Sequence, residues 1–172
     1  MRQHHATSDS VWLLLAKAGA DERTVTYAEA VEVALCYGWV DGQKKALDGQ
    51  HWLQRFTPRR KRSLWSKINC TKAQALIEAG RMKPAGQAEI DGAKEEGRWA
   101  QAYDGARTST VPDDLQTALD AAPKAKKFFG TLDAANRYAV LWRVQTAQKP
   151  ETRAKRIATL VAMLARGEKI HP

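Results

Sequence analysis

The chain has 172 residues, with 28 lysines and arginines against 19 aspartates and glutamates, which gives a formal net charge of +9. A chain of this length buries roughly 70% of the surface that its unfolded form exposes, enough for one sizeable core. Its 44% hydrophobic and 27% charged residues exclude a disordered or fibrous protein. The longest apolar run, Val11–Ala16, is too short to span a membrane, and no signal peptide is recognisable, so we expect a cytoplasmic protein.

The first predicted elements are a strand and a helix. The short apolar run Val11–Lys17 is typical of a buried strand. Thr26 and Glu29 have the spacing of a capping box, in which each side chain accepts the backbone amide of the other residue. A helix is therefore expected from Thr26 to Gly38, where the glycine suits a helix end.

A hairpin is expected next. Strands over Trp39–Leu47 and Gln50–Thr57 flank Asp48-Gly49, a dipeptide typical of a two-residue type I′ turn with positive φ at both positions. A bulge near Gly42 would shift this register and exchange the two faces of the first strand. Without a bulge, the predicted cross-strand pairs are Leu47 with Gln50, Lys45 with Trp52, Gln43 with Gln54, and Asp41 with Phe56.

Helical patterns dominate the rest of the chain. Asp104–Thr110 lacks large apolar residues and is expected to be a connector between an α+β part, residues 1–104, and a helical part, residues 105–172. The predicted fold class is α+β: a small antiparallel sheet of one strand plus a hairpin, packed by helices and followed by a helical C-terminal part. Helices are expected over Ser63–Gly80 and Pro84–Gly97, from Pro112, over Thr131–Gln148, and from Pro150.

The positive charge is concentrated in one segment. Residues 49–77 contain seven basic and no acidic residues, and Trp52, Phe56 and Trp65 lie among them. Cations beside aromatic rings are typical of a surface that binds single-stranded nucleic acid. A solvated loop above core aromatics has the same composition. The nucleic-acid interpretation would use Arg59, Arg60, Lys61, Arg62 and Lys67.

The same segment predicts a site for a small anionic or aromatic ligand at the junction between the hairpin and the next helix. Arginine clusters bind phosphates and carboxylates, and tryptophans around a polar cluster can wall a pocket. The predicted ligand-binding residues are Trp39, Asp41, Gln43, Trp52, Arg55, Thr57, Arg59, Ser63, Trp65, Ser66 and Asn69.

An enzyme is the less favoured interpretation, because the GxSxG, HExxH, GxxxxGK[ST] and GxGxxG motifs are all absent. The candidate catalytic residue is Asp41, as a buried carboxylate. The alternative is that Asp41 accepts backbone amides beside Gly42, and that Ser63 and Ser66 only cap a helix. We predict no metal site and no cofactor, since the two cysteines form no CxxC motif.

Several strings resemble the bacterial YdeI/OmpD-associated family, also described as bacteriocin-protection proteins. This resemblance implies an accessory protein in stress or antimicrobial resistance, with neither a catalytic residue nor a cofactor attached to the family. The strings are CYGWVDGQ (Cys36–Gln43), WLQRFTPRR (Trp52–Arg60), SLWSKIN (Ser63–Asn69), GRMKPAG (Gly80–Gly86) and KPETR (Lys149–Arg153).

Overall fold

The computed structural model describes all 172 residues, which divide into two compact units, Met1–Ala102 and Tyr103–Pro172. The first unit contains a three-stranded sheet and three helices, and the second contains four helices. Each unit has its own cluster of buried apolar side chains. The predicted α+β class with a helical C-terminal part is confirmed.

The chain forms ten helices and strands in all. None of the helices has the length and apolar character that crossing a membrane requires. The first unit contains β1 (Val11–Ala16), α1 (Tyr27–Cys36), β2 (Trp39–Ala46), β3 (His51–Pro58), α2 (Lys67–Glu78) and α3 (Pro84–Glu95). The second unit contains α4 (Asp113–Asp120), α5 (Pro123–Gly130), α6 (Ala134–Gln145) and α7 (Pro150–Ala165).

The predicted capping box begins α1. The Thr26 hydroxyl accepts the Glu29 amide at 3.2 Å, and the Glu29 carboxylate accepts the Thr26 amide at 2.8 Å. After the helix, Gly38 has a φ of 74°, in the left-handed region that favours glycine. Both ends of α1 are therefore set by local sequence, as predicted.

The start of α2 differs from the prediction. Ser66 rather than Ser63 is the N-cap, because its hydroxyl accepts the Asn69 amide at 3.2 Å. The Ser63 hydroxyl accepts the Arg60 amide at 2.8 Å and belongs to a preceding turn. Ser63, where the predicted helix would have begun, therefore lies in the turn, and α2 begins after Ser66.

The antiparallel sheet has the order β1-β3-β2, so β3 is its central strand. Its inner face contributes Leu15, Trp39 and Phe56 to the core, and the last two lie in one cluster with Val31 of α1. The outer face exposes Trp12 and other side chains of β1. The inner face of the sheet therefore packs against α1, whereas the outer face leaves side chains of β1 exposed.

The predicted type I′ turn is wrong. Neither Asp48 nor Gly49 has a positive φ. The Asp48 carboxylate accepts the backbone amides of Gln50 and His51, each at 2.7 Å. These bonds stabilise a longer connection than two residues, since an aspartate side chain competes well for turn amides.

The register predicted without a bulge is correct at the base of the hairpin and wrong near the turn, whereas the alternative with a bulge near Gly42 is confirmed. Asp41 lies opposite Phe56, as predicted, but Lys45 lies opposite Leu53 rather than Trp52. The register shifts between Asp41 and Lys44, which places a bulge at residues 42–43. Because of this bulge, Lys44 shares the inner face with Trp52 near the turn.

The end of α1 packs closely against the start of α3. The Lys83 amide donates to the Cys36 carbonyl at 3.2 Å. A Cβ atom added at Gly86 would lie 2.5 Å from the Leu35 carbonyl oxygen and closer still to that of Cys36. Only glycine therefore permits this approach of the two helices.

Candidate functional site

The residues predicted to form one ligand site lie in three places of the first unit. These are the inner face of the hairpin, the outer face of the sheet, and the junction between β3 and α2. Trp39 also lies on the inner face, but it is buried in the core, where its Nε1 donates to the His5 carbonyl at 3.2 Å. The predicted set is therefore divided, although each part retains a defined local structure.

Asp41 and Trp52 lie on the inner face of the hairpin together with Tyr27 of α1. The Tyr27 hydroxyl donates to Asp41 Oδ2 at 2.7 Å, and the centroids of the Tyr27 and Trp52 rings are 5.8 Å apart. Lys44 Nζ lies 4.4 Å from the Trp52 centroid, in a cation–π contact. Beside this group, the loop between β1 and α1 borders a concavity of 570 Å³ lined also by Tyr27 and Trp52.

The bulge next to Asp41 is held by Gln54, a buried residue of β3. Gln54 Nε2 donates to the carbonyl of Gly42 at 3.0 Å and to that of Gln43 at 3.2 Å. A bulge disrupts the ladder locally, and the buried amide supplies hydrogen bonds to these carbonyls. Gln43, a predicted site residue, is exposed and contributes this backbone carbonyl.

Arg55 and Thr57 lie on the outer face of the sheet, away from Asp41. Arg55 pairs in register with Trp12 of β1, and Thr57 pairs with Val40 of β2. The buried Nε atom of Arg55 has no hydrogen-bond partner. Since successive residues of a strand face opposite sides, this pair does not join the inner-face group.

Arg59 and Trp65 form the buried part of the junction. Arg59 is only 6% exposed; one guanidinium nitrogen donates to the Leu64 carbonyl at 3.1 Å. Its guanidinium carbon lies 3.6 Å from the centroid of Trp65, whose ring packs on Trp99 at 4.9 Å. An arginine buried to this extent stabilises the junction, because its flat cation covers one face of the tryptophan.

Arg60, Lys61 and Arg62 are exposed on the turn between these buried residues, here named the basic turn. Ser63 closes it: the Ser63 amide donates to the Arg60 carbonyl at 2.7 Å, and the Ser63 hydroxyl accepts the Arg60 amide at 2.8 Å. Arg98 donates to the Ser63 carbonyl at 3.2 Å. The three cations are thus displayed on a segment that is fixed by hydrogen bonds.

The remaining junction residues belong to the first turn of α2. Ser66 caps the helix and is buried, and Asn69 donates its amide to that cap and is half-buried. Lys67 is exposed in the same turn, which contains no acidic residue. Ser63, Ser66 and Asn69 thus have structural roles around the basic turn.

Two of the three aromatic residues that lie among the cations of residues 49–77 are buried. Phe56 is 0% and Trp65 is 2% exposed, so neither ring can stack on a nucleic-acid base. The interpretation of these two residues as a stacking surface is wrong, because both occupy core positions. Trp52 is half-buried and lies on the inner face of the hairpin.

Sequence reasoning missed Tyr27, Lys44 and Gln54. Neither Tyr27 nor Lys44 is among the predicted site residues. In a strand without a bulge, Lys44 and Asp41 lie on opposite faces. A signal for Gln54 existed: an amide between the apolar residues Trp52 and Phe56 on one strand face indicates a buried polar contact.

Burial controls the ionisation of the two cysteines. It raises the pKa of the Cys70 thiol to about 11 and also raises the pKa of Cys36.

In the hairpin connection, the amides of Gln50 and His51 lower the pKa of Asp48. The structure contains no group of three or more histidine, cysteine, aspartate or glutamate side chains that could hold a metal ion.

Residues 1–89, more than half of the chain, match the family model of a domain of unknown function (DUF8412). The chain belongs to the DUF8412 family. In this DUF8412 protein, residues 108–167 also match the family described as bacteriocin-protection, YdeI or OmpD-associated. The predicted resemblance is confirmed for this C-terminal range.

The sequence strings on which the resemblance rests are distributed over the two matched ranges. Cys36–Gln43 and Ser63–Asn69 lie within the DUF8412 match, whereas Lys149–Arg153 lies within the YdeI/OmpD-associated match. The basic turn of this DUF8412 protein therefore belongs to the part with no described function. No curated protein and no solved structure shows significant similarity to the chain.

Proposed function

We propose that this protein is an accessory protein that binds an extended polyanion through the basic turn, Arg60–Arg62. One observation carries the proposal: three consecutive exposed cations stand on a turn that Ser63 closes with two hydrogen bonds. A fixed display of cations binds phosphates at a lower entropic cost than a flexible loop does. The hairpin-to-helix junction is thus proposed as the binding region.

The surrounding charge supports an anionic partner. Residues 49–77 contain no carboxylate, so no acidic side chain of this segment neutralises the basic turn. The nearby Arg98 pairs with Glu96 at 2.8 Å, and its charge is therefore partly compensated. The positive charge that is available to an anionic partner is therefore that of the three cations of the basic turn.

The exposure of these residues favours an extended partner over a small enclosed ligand. Arg60, Lys61 and Arg62 are all exposed, whereas Arg59 and the Trp65 ring, which could enclose a small molecule, are buried against each other. Phosphate contacts without base stacking depend little on sequence and strongly on salt. We therefore use nucleic acid as the test polyanion.

The experiment is a titration of labelled single- and double-stranded DNA and RNA with the full-length protein at several salt concentrations. We compare wild type with the charge-reversal variant Arg60→Glu, Lys61→Glu, Arg62→Glu. The matched control is Lys124→Glu, Lys126→Glu, Lys127→Glu on α5, which changes the net charge equally. All three lysines of the control are exposed.

We expect wild type to bind at low salt with an affinity that falls linearly with the logarithm of the salt concentration. For duplex DNA, reversal of the basic turn should reduce that slope by about 3, since about 0.9 counterions are released per phosphate contact. The α5 control should retain most of the wild-type slope. Equal losses in the two variants, or no binding by wild type at low salt, would contradict the proposal.

A further inference from the structure

A cavity of 380 Å³ lies between the inner face of the sheet and α1. Its volume is within the range of roughly 300 to 1,000 Å³ that is usual for small-molecule sites. Among the lining residues, Trp39 and Phe56 are almost completely buried, whereas Val25 and Val33 are 43% and 39% exposed. The cavity therefore extends from the core of the first unit to its surface.

The segment before β1 supplies one wall of this cavity. Two contacts of His5 fix the segment to the core: its carbonyl accepts Trp39 Nε1 at 3.2 Å, and its ring lies 4.7 Å from that of Tyr37. The wall is thus attached to the same tryptophan that lines the cavity. The residues that this segment contributes to the lining are Met1, His4, Ser8 and Ser10.

The chemistry of the lining is apolar on the sheet and helix side and polar only on the side of this segment. No aspartate, glutamate, lysine or arginine lines the cavity. The His4 ring and the hydroxyls of Ser8 and Ser10 make no hydrogen bond to another residue. Apolar cavities are poor sites for water, and three polar groups on one wall can bind one polar end of a ligand.

We propose that this cavity binds a neutral, largely apolar small molecule that carries one hydrogen-bonding group. The apolar part would contact Phe56, Trp39 and Leu13, and the polar group would face the wall of His4, Ser8 and Ser10. The absence of charged side chains disfavours an ionic ligand, because its desolvation would not be compensated. No residue of the basic turn lines the cavity, so this proposal does not rest on polyanion binding.

The test uses N-phenyl-1-naphthylamine, a neutral aromatic probe with a single N–H group, whose fluorescence rises in apolar surroundings. We expect saturable binding by the full-length protein with one probe per chain. Val33→Trp places a large ring at the opening of the cavity. We expect the affinity for the probe to fall by about tenfold or more, because the ring takes up space that the probe needs. Ile68→Trp is the matched control, because Ile68 is an exposed helical residue outside the cavity.

Ala30→Leu is a second variant, which fills the cavity from α1. Thermal unfolding establishes that each variant is folded before its affinity is compared. Loss of probe binding in Val33→Trp, with wild-type binding in Ile68→Trp, supports the proposal even if Ala30→Leu fails to fold. Equal affinities of Val33→Trp and Ile68→Trp, non-saturable binding, or no binding by wild type would overturn it.

Discussion

The guanidinium of Arg59 lies 3.6 Å from the centroid of the Trp65 ring, at the point where the hairpin leads into α2. Both residues are buried, and Arg59 also donates to the Leu64 carbonyl at 3.1 Å. The two residues stand on either side of the basic turn. Their contact therefore fixes the two ends of the segment that displays Arg60, Lys61 and Arg62.

Replacement of Arg59 by alanine should destabilise the first unit. The change removes the cation–π contact and the bond to Leu64, and we expect a loss of about 2 to 3 kcal/mol in the free energy of unfolding. Urea denaturation measures this loss. The control is Arg60→Ala, an exposed neighbour, which should change stability by no more than about 0.5 kcal/mol. Equal effects of the two variants would show that the stack has no structural role.

Gln54→Leu should destabilise the hairpin, because it leaves the Gly42 and Gln43 carbonyls without their side-chain donor. We expect a loss of about 1 to 3 kcal/mol, the usual cost of unsatisfied buried polar groups. Urea denaturation and amide hydrogen exchange in β2 measure it. Gln43→Leu applies the same substitution to an exposed residue and should be nearly neutral. Unchanged exchange in Gln54→Leu would argue that the bulge does not depend on this amide.

Gly86→Ala should be strongly destabilising. Its Cβ would collide with two backbone carbonyls at the end of α1, so the helices must separate, at a cost of about 2 to 4 kcal/mol. Gly92→Ala is the control on the same helix, where an added Cβ meets nothing within 4 Å. There the helix propensity of alanine should stabilise the protein by up to about 1 kcal/mol. Opposite shifts of the melting temperature are expected, and shifts of the same sign would contradict the packing argument.

Cys70 should react slowly with iodoacetamide, because burial raises its pKa to about 11 and thus lowers the thiolate fraction. In a Cys36→Ala variant, we expect the rate at pH 8 to be about 100-fold below that of an exposed cysteine of ordinary pKa. The same shift stabilises the fold below the unfolded-state pKa, and this contribution is lost as the pH rises through about 11. A rate profile with a midpoint between pH 8 and 9 would refute the assignment.

Features that depend on neighbouring residues were predictable from the sequence. The capping box of Thr26 and Glu29 and the left-handed Gly38 follow from interactions within a few residues. The prolines at the start of α3 and α7 are also a local signal, because the fixed φ of proline suits the first helical position. The order of the other elements could be predicted for the same reason, whereas α5 lies in a stretch where no helix was predicted.

Features that depend on competition between side chains and backbone were not predictable. Asp48 accepts two amides and so replaces the type I′ turn that its dipeptide favours. Distant pairs, such as the hydroxyl of Tyr27 on Asp41, join residues 14 positions apart, and no local pattern indicates them. The division of the predicted ligand site follows from strand alternation, because Arg55 and Thr57 face the opposite side of β3 from Trp52.

The edge position of β1 has a consequence for the handling of the protein. In the order β1-β3-β2, the strand VWLLLA pairs on one side only, and on its other side the Thr24 hydroxyl accepts the Ala16 amide at 2.8 Å. A strand of six residues without charge or proline, with Trp12 and Leu14 exposed, is a template for pairing between copies. Self-association at high concentration should therefore begin at β1, and a lysine in place of Leu14 should prevent aggregation.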